Sequence, residues 1–193
     1  MHQPVLGQNC QIAENVILGL EYVAGCNPVQ IGNNAIVRSG TIIYSDVEIG
    51  DDFRSGHFVL IREKTKIGNN VLVGTHTVID GHCVLGNNIK LQTGVYLSTN
   101  TKIGDNVFIG PCAVLLNDKY PVRQDYQLKG PVVGDDVSIG ASATVLPAVK
   151  IGRGAFIAAG AVVTRDVPPG KLARGNPAQC YELPQHLQGR NRI

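Results

Sequence analysis

Three histidines in the middle of the chain, His57, His76 and His82, are the side chains best suited to chemistry near neutral pH. An imidazole changes charge between pH 5 and 8, so each could take up a proton or ligate a metal. Charged and amide groups fall in the same stretch, at Arg62-Glu63, Asp80 and Asn117-Asp118. Asp80 could orient the His82 ring, and Arg62 and Glu63 could line a groove or form a surface pair. The structural alternative for each histidine is a solvated corner residue. For Asn117-Asp118 it is an Asx-turn that opens a loop. Which reading applies depends on the elements that carry these residues.

Composition narrows those elements. A chain of 193 residues suffices for one sizeable domain. Its formal net charge of +2 gives no strong field for nucleic acid or an anionic membrane. There is no Trp, few other aromatics and 23 Gly, a poor recipe for an ordinary globular core. It suits thin layers of Ile, Val and Leu joined by tight corners. The five cysteines form an odd set without a CxxC pair and read as reduced thiols. No apolar run reaches the roughly 18 to 20 residues that span a bilayer. The stretch MHQPVLGQNCQ shows neither a basic nor an apolar leader segment, so a cytoplasmic protein is expected.

A period of six organises the chain. Every sixth position from Ile31 to Leu115, and again from Val133 to Val163, is aliphatic in twenty of twenty-one cases, with Ser55 the exception. Gly follows ten of the aliphatic slot residues. Leu6, Ile12 and Leu18 extend the pattern toward the N-terminus, and one extra residue slips it between Glu21 and Gln30. Six is neither a helical period nor simple strand alternation. It predicts short strands, each with one inward aliphatic, separated by turns where small residues avoid clashes. Three units make a triangular coil, and coils stack with their strands parallel.

Residues eighteen apart then lie above one another. One corner column is uniform, running from Asn33-Asn34 through Asp51-Asp52, Asn69-Asn70 and Asn87-Asn88 to Asp105-Asn106. Asn and Asp tolerate left-handed backbone and bond their own main chain, so this edge reads as turn chemistry. The second column holds His57-Phe58 and Thr75-His76. The third holds Glu63-Lys64, Gly81-His82 and Asn117-Asp118. Neither repeats itself, which makes both the candidate site. Between Leu115 and Val133 the repeat lapses in LLNDKYPVRQDYQLKGP, where Pro121 and Pro131 argue for a loop leaving the third corner over about 116–132. Residues 1–170 are expected to form the β-helix domain, with a turn at Pro168-Pro169. Residues 171–193 are expected to form a short, partly helical or disordered tail.

The pattern resembles the hexapeptide-repeat acyltransferases over residues 31 to about 170. The resemblance implies an all-β, left-handed parallel β-helix and a homotrimer with active sites between subunits. It also implies acetyl-CoA as co-substrate and no metal. The segment IGASATVLPAVKIGRGAFIAAGAVVTRDVPPGKLARGNPA is similar to the family's acyl-CoA-binding coils. There Ala141, Ala159 and Gly160 would border the pantetheine arm, and Thr164, Arg165, Lys171 and Arg174 its nucleotide end. Gln179, Cys180, Tyr181 and Glu182 depart from the basic, aliphatic run that many members carry. VFIGPCAVLLNDKYP resembles the subgroup that acylates the amino group of nucleotide-linked sugars, whereas O-acetyltransferases tend to carry a histidine in this loop. A hydroxyl needs a base, while an amine needs only to lose its ammonium proton. On this reading Asn117 and Asp118 bind the acceptor, His76 takes the amine proton from a position where related enzymes have Asn, and His82 assists. His57, Arg62 and Glu63 line the groove. The alternatives are an O-acetyltransferase, a γ-class carbonic anhydrase-like metalloenzyme using the three histidines, and a non-catalytic scaffold.

Overall fold

A strand of two or three residues has no stability alone, so the hexapeptide units persist only by pairing with units one coil away. In the computed structural model, which describes residues 3–191 and 193, they do so in three sheets of eight, ten and eight strands, parallel except for the last strand of the second. The coils wind as a left-handed β-helix. Register follows the eighteen-residue step: Ile67 stands between Ile49 and Leu85, and Leu97 between Ile79 and Leu115. From Ile31 onward the slot residues are thereby stacked and buried, and each coil adds about 4.8 Å along the axis.

All three corners use one backbone solution. The second residue of the corner is left-handed in every column, at Asp52 (φ 59°), His76 (φ 59°) and His82 (φ 50°) alike. The irregularity of the second and third columns lies mainly in side chains; the backbone departs at Gly81, which is left-handed as well (φ 83°), and at Asp118, where the loop begins. In the first column the carboxylate or amide oxygen does not bond its own backbone, as the sequence suggested. It accepts from the amide one coil earlier, as in Asn33 N to Asp51 Oδ1 (2.7 Å) and Asp51 N to Asn69 Oδ1 (2.8 Å). The corner Asn and Asp therefore clamp successive coils together.

The single break in the aliphatic series is compensated locally. Ser55 is buried and its Oγ accepts from the Arg38 amide at 2.9 Å. Two residues earlier, on the same inward side, Phe53 is the largest fully buried side chain. The coil whose slot carries a small polar residue is thus also the one that carries the bulkiest core side chain.

Three departures from regular coiling matter for function. Near the N-terminus Val5 pairs with Gln30, 25 residues on, so a unit and one further residue leave the third corner as a small excursion. Tyr22 on this excursion donates to Asp46 Oδ2 at 2.7 Å, and Asn27 donates to Asp46 Oδ1 through both its amides. The Tyr22 bond, then the Asn27 backbone bond, hold the Asp46 carboxyl below its usual range, and the same bond pushes Tyr22 up to about 12. A depressed carboxyl stabilises the fold above its unfolded value and loses that contribution as pH falls through the folded one. Amide exchange at Asn27 should therefore accelerate below about pH 4 while core amides hold. Unchanged protection of Asn27 at pH 3 would contradict this.

The second departure is the expected loop. Ile103 pairs with Val133, thirty residues on, so twelve residues project from the third corner. The base is pinched by Lys129 N donating to the Asn117 carbonyl at 3.1 Å, and the chain re-enters at buried Gly130. A Cβ at Gly130 would lie 2.4 Å from the Thr101 nitrogen, so only glycine allows that return. Third, Val167 bridges Ile151 and closes the last coil, with the turn at Pro169-Gly170. The expected tail instead begins with strand: Lys171–Gly175 extends the second sheet and Ala178–Glu182 returns antiparallel. A 3-10 turn spans Gln185–Leu187, and Asn191 anchors the end by accepting from Ser138 Oγ at 2.8 Å. Leu172 is half-buried and Ala173 buried against the last coil, while the returning strand is largely exposed.

Candidate functional site

The third corner builds a continuous polar surface from residues that the eighteen-residue step brings together. Tyr44, Arg62 and Asp80 each follow a slot residue on the third sheet, so they face outward one above another. Arg62 lies 5.8 Å from the centre of the Tyr44 ring. Its Nε and Nη2 donate to the two Glu63 oxygens at 3.1 and 3.0 Å, and its Nη1 to Asp80 Oδ1 at 3.0 Å. Asp80 Oδ2 accepts from Tyr96 OH at 3.0 Å, and the Asp80 carbonyl accepts from Thr99 Oγ1 at 2.7 Å. Burial, followed by the bond to Asp80, raises the Tyr96 phenol. One guanidinium thus faces two carboxylates, and Glu63 is buried. Removing Arg62 would leave two carboxylates without a cation, so the guanidinium is what holds the network together.

Asn117 extends this surface by donating to the Thr99 carbonyl at 3.3 Å, and Asp118 follows at the mouth of the loop. Asp118 Oδ1 accepts from the Tyr120 amide at 2.8 Å, an Asx-turn that starts the excursion. Both excursions leave from this same corner and flank the Arg62 network. Asn117, Asp118, Arg62 and Glu63 therefore form one surface. His82 lies on the same corner, exposed, with its amide donating to the Glu63 carbonyl at 2.9 Å. The expectation that Asp80 orients the His82 ring is not met, because both Asp80 oxygens are taken by Arg62 and Tyr96.

His57 and His76 sit on the second corner, at the other edge of the third sheet. His57 Nδ1 is 2.9 Å from Ser39 Oγ. The His76 imidazole stacks on the Phe58 ring, centroids 5.3 Å apart and planes 8° from parallel. A single chain thus separates His76 from Asp118 by one sheet width and two coils, about 10 Å along the axis. Among the described residues no three His, Cys, Asp or Glu side chains are close enough within one chain to hold a metal ion. Sequence reasoning passed over Tyr44, Tyr96 and Thr99. Sorting by eighteen does place Tyr44 above Arg62 and Asp80, but Tyr96 reaches Asp80 from a neighbouring column.

The C-terminal coils present a strip of small residues. Ala141 is half-buried, Ala159 and Gly160 are exposed, and a Cβ at Gly160 would meet nothing within 4 Å. Thr164 and Arg165 border a cleft closed by the hairpin residues Gln179 and Cys180. No ion pair holds Arg165 among the described residues. Lys171, by contrast, is paired with Glu182 across the hairpin, and Arg174 lies 4.4 Å over the Tyr181 ring. The departing residues of the tail therefore neutralise or cover two of the cations expected at the nucleotide end of CoA.

Two sequence families describe the repeat. The bacterial transferase hexapeptide (six repeats) matches residues 82–117 and 130–165, and the hexapeptide repeat of succinyl-transferase matches 5–45 and 64–99. Together they cover well over half of the chain. The chain belongs to the hexapeptide-repeat transferase family. The gap between residues 117 and 130 coincides with the twelve-residue excursion, and the gap between 45 and 64 contains Phe53, Ser55 and Phe58.

Relatives of this hexapeptide-repeat protein match over shorter stretches. YvoF of Bacillus subtilis, to which an acetyltransferase role is ascribed, is 42% identical over 66 residues, 34% of this chain and 38% of its own. A 2,3,4,5-tetrahydropyridine-2,6-dicarboxylate N-acetyltransferase of Staphylococcus aureus is 46% identical over 57 residues, 30% of this chain and 24% of its own. The matches thus span well under half the length of these relatives. A UDP-N-acetylglucosamine acyltransferase of Bacteroides fragilis shares the fold, with a TM-score of 0.66 at 17% identity over 92% of this chain and 69% of that one. No helix among the described residues is long and apolar enough to cross a membrane.

Proposed function

We propose that the protein is an acyl-CoA-dependent N-acyltransferase, with the amino group of a nucleotide-linked amino sugar as acceptor. The nitrogen attacks the thioester carbonyl, an N–C bond forms, the C–S bond breaks, and CoA leaves as its thiol after the amine gives up a proton. The observation that carries this reading is the loop opening at Asn117-Asp118, without a histidine, at the end of a network of one guanidinium and two carboxylates. Arg62, Glu63 and Asp80 together leave one negative charge and Asp118 adds a second, which favours an approaching ammonium over a neutral hydroxyl. Asn117 and Asp118 bind the acceptor, and Arg62 and Glu63 keep the floor of the groove rigid.

A filled prism has no internal pocket, so the site lies between prisms, and a homotrimer supplies the facing corner. Association is what brings a second-corner histidine opposite a third-corner Asp118, and His76 then receives the amine proton. His82 and His57 border the groove. Acetyl-CoA supplies the activated acyl group. The small strip at Ala141, Ala159 and Gly160 fits its narrow arm, and Thr164 and Arg165 fit its phosphates, with Lys171 reduced to a minor part by Glu182. O-acyl transfer is the second reading, favoured by the exposed imidazoles on both corners, which would serve a hydroxyl that needs a base. A screen of CoA release with dTDP- and UDP-linked 3-amino and 4-amino sugars beside plain glycosides separates the two. Turnover with amino sugars is expected, and turnover with hydroxyl acceptors alone would overturn the proposal.

A further inference from the structure

Phe58 stands out among the corner residues. It occupies the left-handed position of its turn, φ 54°, where a bulky side chain is an outlier and the neighbouring column uses Asn and Asp. Within the single chain burial does not compensate, since Phe58 is 58% exposed there. Strain of this kind persists only where the surroundings enforce it, and an exposed outlier directs attention to function. One coil earlier, Gly40 leaves space for the ring: a Cβ there would lie 2.3 Å from a Phe58 ring carbon. One coil later, the ring faces His76 at 5.3 Å and 8°. Gly40, Phe58 and His76 form a three-layer stack in which each member fits the next.

Among the described residues no hydrogen bond holds the His76 ring, so this stack alone sets its plane. Both imidazole nitrogens lie in the plane of the ring, and their lone pair and N–H point along it. Fixing the plane therefore fixes the direction from which a proton can be received, and such pre-orientation is worth rate at the attacking amine. We infer that Phe58 is a positioning residue that holds the His76 imidazole in the plane needed for proton transfer. The inference rests on the reading of His76 as proton acceptor.

NMR of the intact protein tests the stack apart from catalysis. The ring protons of His76, identified by their loss in His76→Gln, should be displaced upfield by the Phe58 ring current. That displacement should vanish in Phe58→Leu and survive in Phe58→Tyr. Gly40→Ala should disturb it by a separate route, because the new methyl displaces the phenyl ring; it serves in place of Phe58→Leu if that variant does not fold. With the amino sugar that gives CoA release, Phe58→Leu should lower kcat about tenfold with KM little changed, and Phe58→Tyr should restore it. His76 resonances that stay in place in Phe58→Leu would overturn the inference whatever the kinetics. If the resonances move but His76→Ala keeps full turnover, the stack stands and His76 is not the proton acceptor.

Discussion

Replacing His76 by alanine is expected to lower turnover with an amino-sugar acceptor by at least about tenfold, since a positioned proton acceptor contributes roughly 10²- to 10⁴-fold. Asp118→Ala should do the same for a different reason. In the proposed function its carboxylate binds the acceptor, and in the structure it also accepts from the Tyr120 amide, so alanine removes a charge and a local structural bond together. Asp118→Asn separates these roles, because the amide oxygen can still accept from Tyr120 while the charge is gone. If the charge recruits the ammonium, the Asn variant should show a raised KM with the loop intact. If only the turn matters, it should behave as wild type. Full turnover in both His76→Ala and Asp118→Ala would mean that the two irregular corners do not carry the site.

The largest effect on stability is expected at Phe53. Truncating a fully buried phenyl to alanine costs about 3 to 5 kcal/mol, partly as lost transfer energy and partly as cavity. In a chain of this length each kcal/mol lowers Tm by roughly 2–4 °C. Neighbours can relax little here, because Ser55 on the same side is polar and committed to the Arg38 amide. The double variant Phe53→Val with Ser55→Ile restores the regular repeat at this coil and should recover much of the loss. Calorimetry of the three proteins would check it. A Phe53→Ala variant that melts with wild type would overturn this expectation.

Much of the architecture is legible in the residues. The aliphatic slots, the stacking by eighteen and the uniform Asn/Asp corner all appear as written, because a six-residue unit that buries one side chain admits few solutions. The loop was visible only through its prolines. From Leu115 to Val133 is eighteen residues, which keeps the phase of the repeat and looks the same as one more coil. The thirty-residue pairing of Ile103 with Val133 distinguishes the two, and pairing is a tertiary fact. The hairpin at Lys171–Glu182 is not legible as strand, because it abandons the period of six altogether.

For the site, the sequence by itself determined which corners carry unusual side chains and which coils end in small residues. It also placed Arg62 beside Glu63. Only the tertiary structure decided who meets whom. Asp80 turns to Arg62 and Tyr96 instead of His82, Lys171 is neutralised by Glu182, and His76 is held by Phe58 across from Gly40. The physical reason is that a repeat prescribes backbone position, and so specifies which residues share a column. The partner a long side chain takes depends on reach and competing charges, and these come from neighbouring columns that the period does not relate.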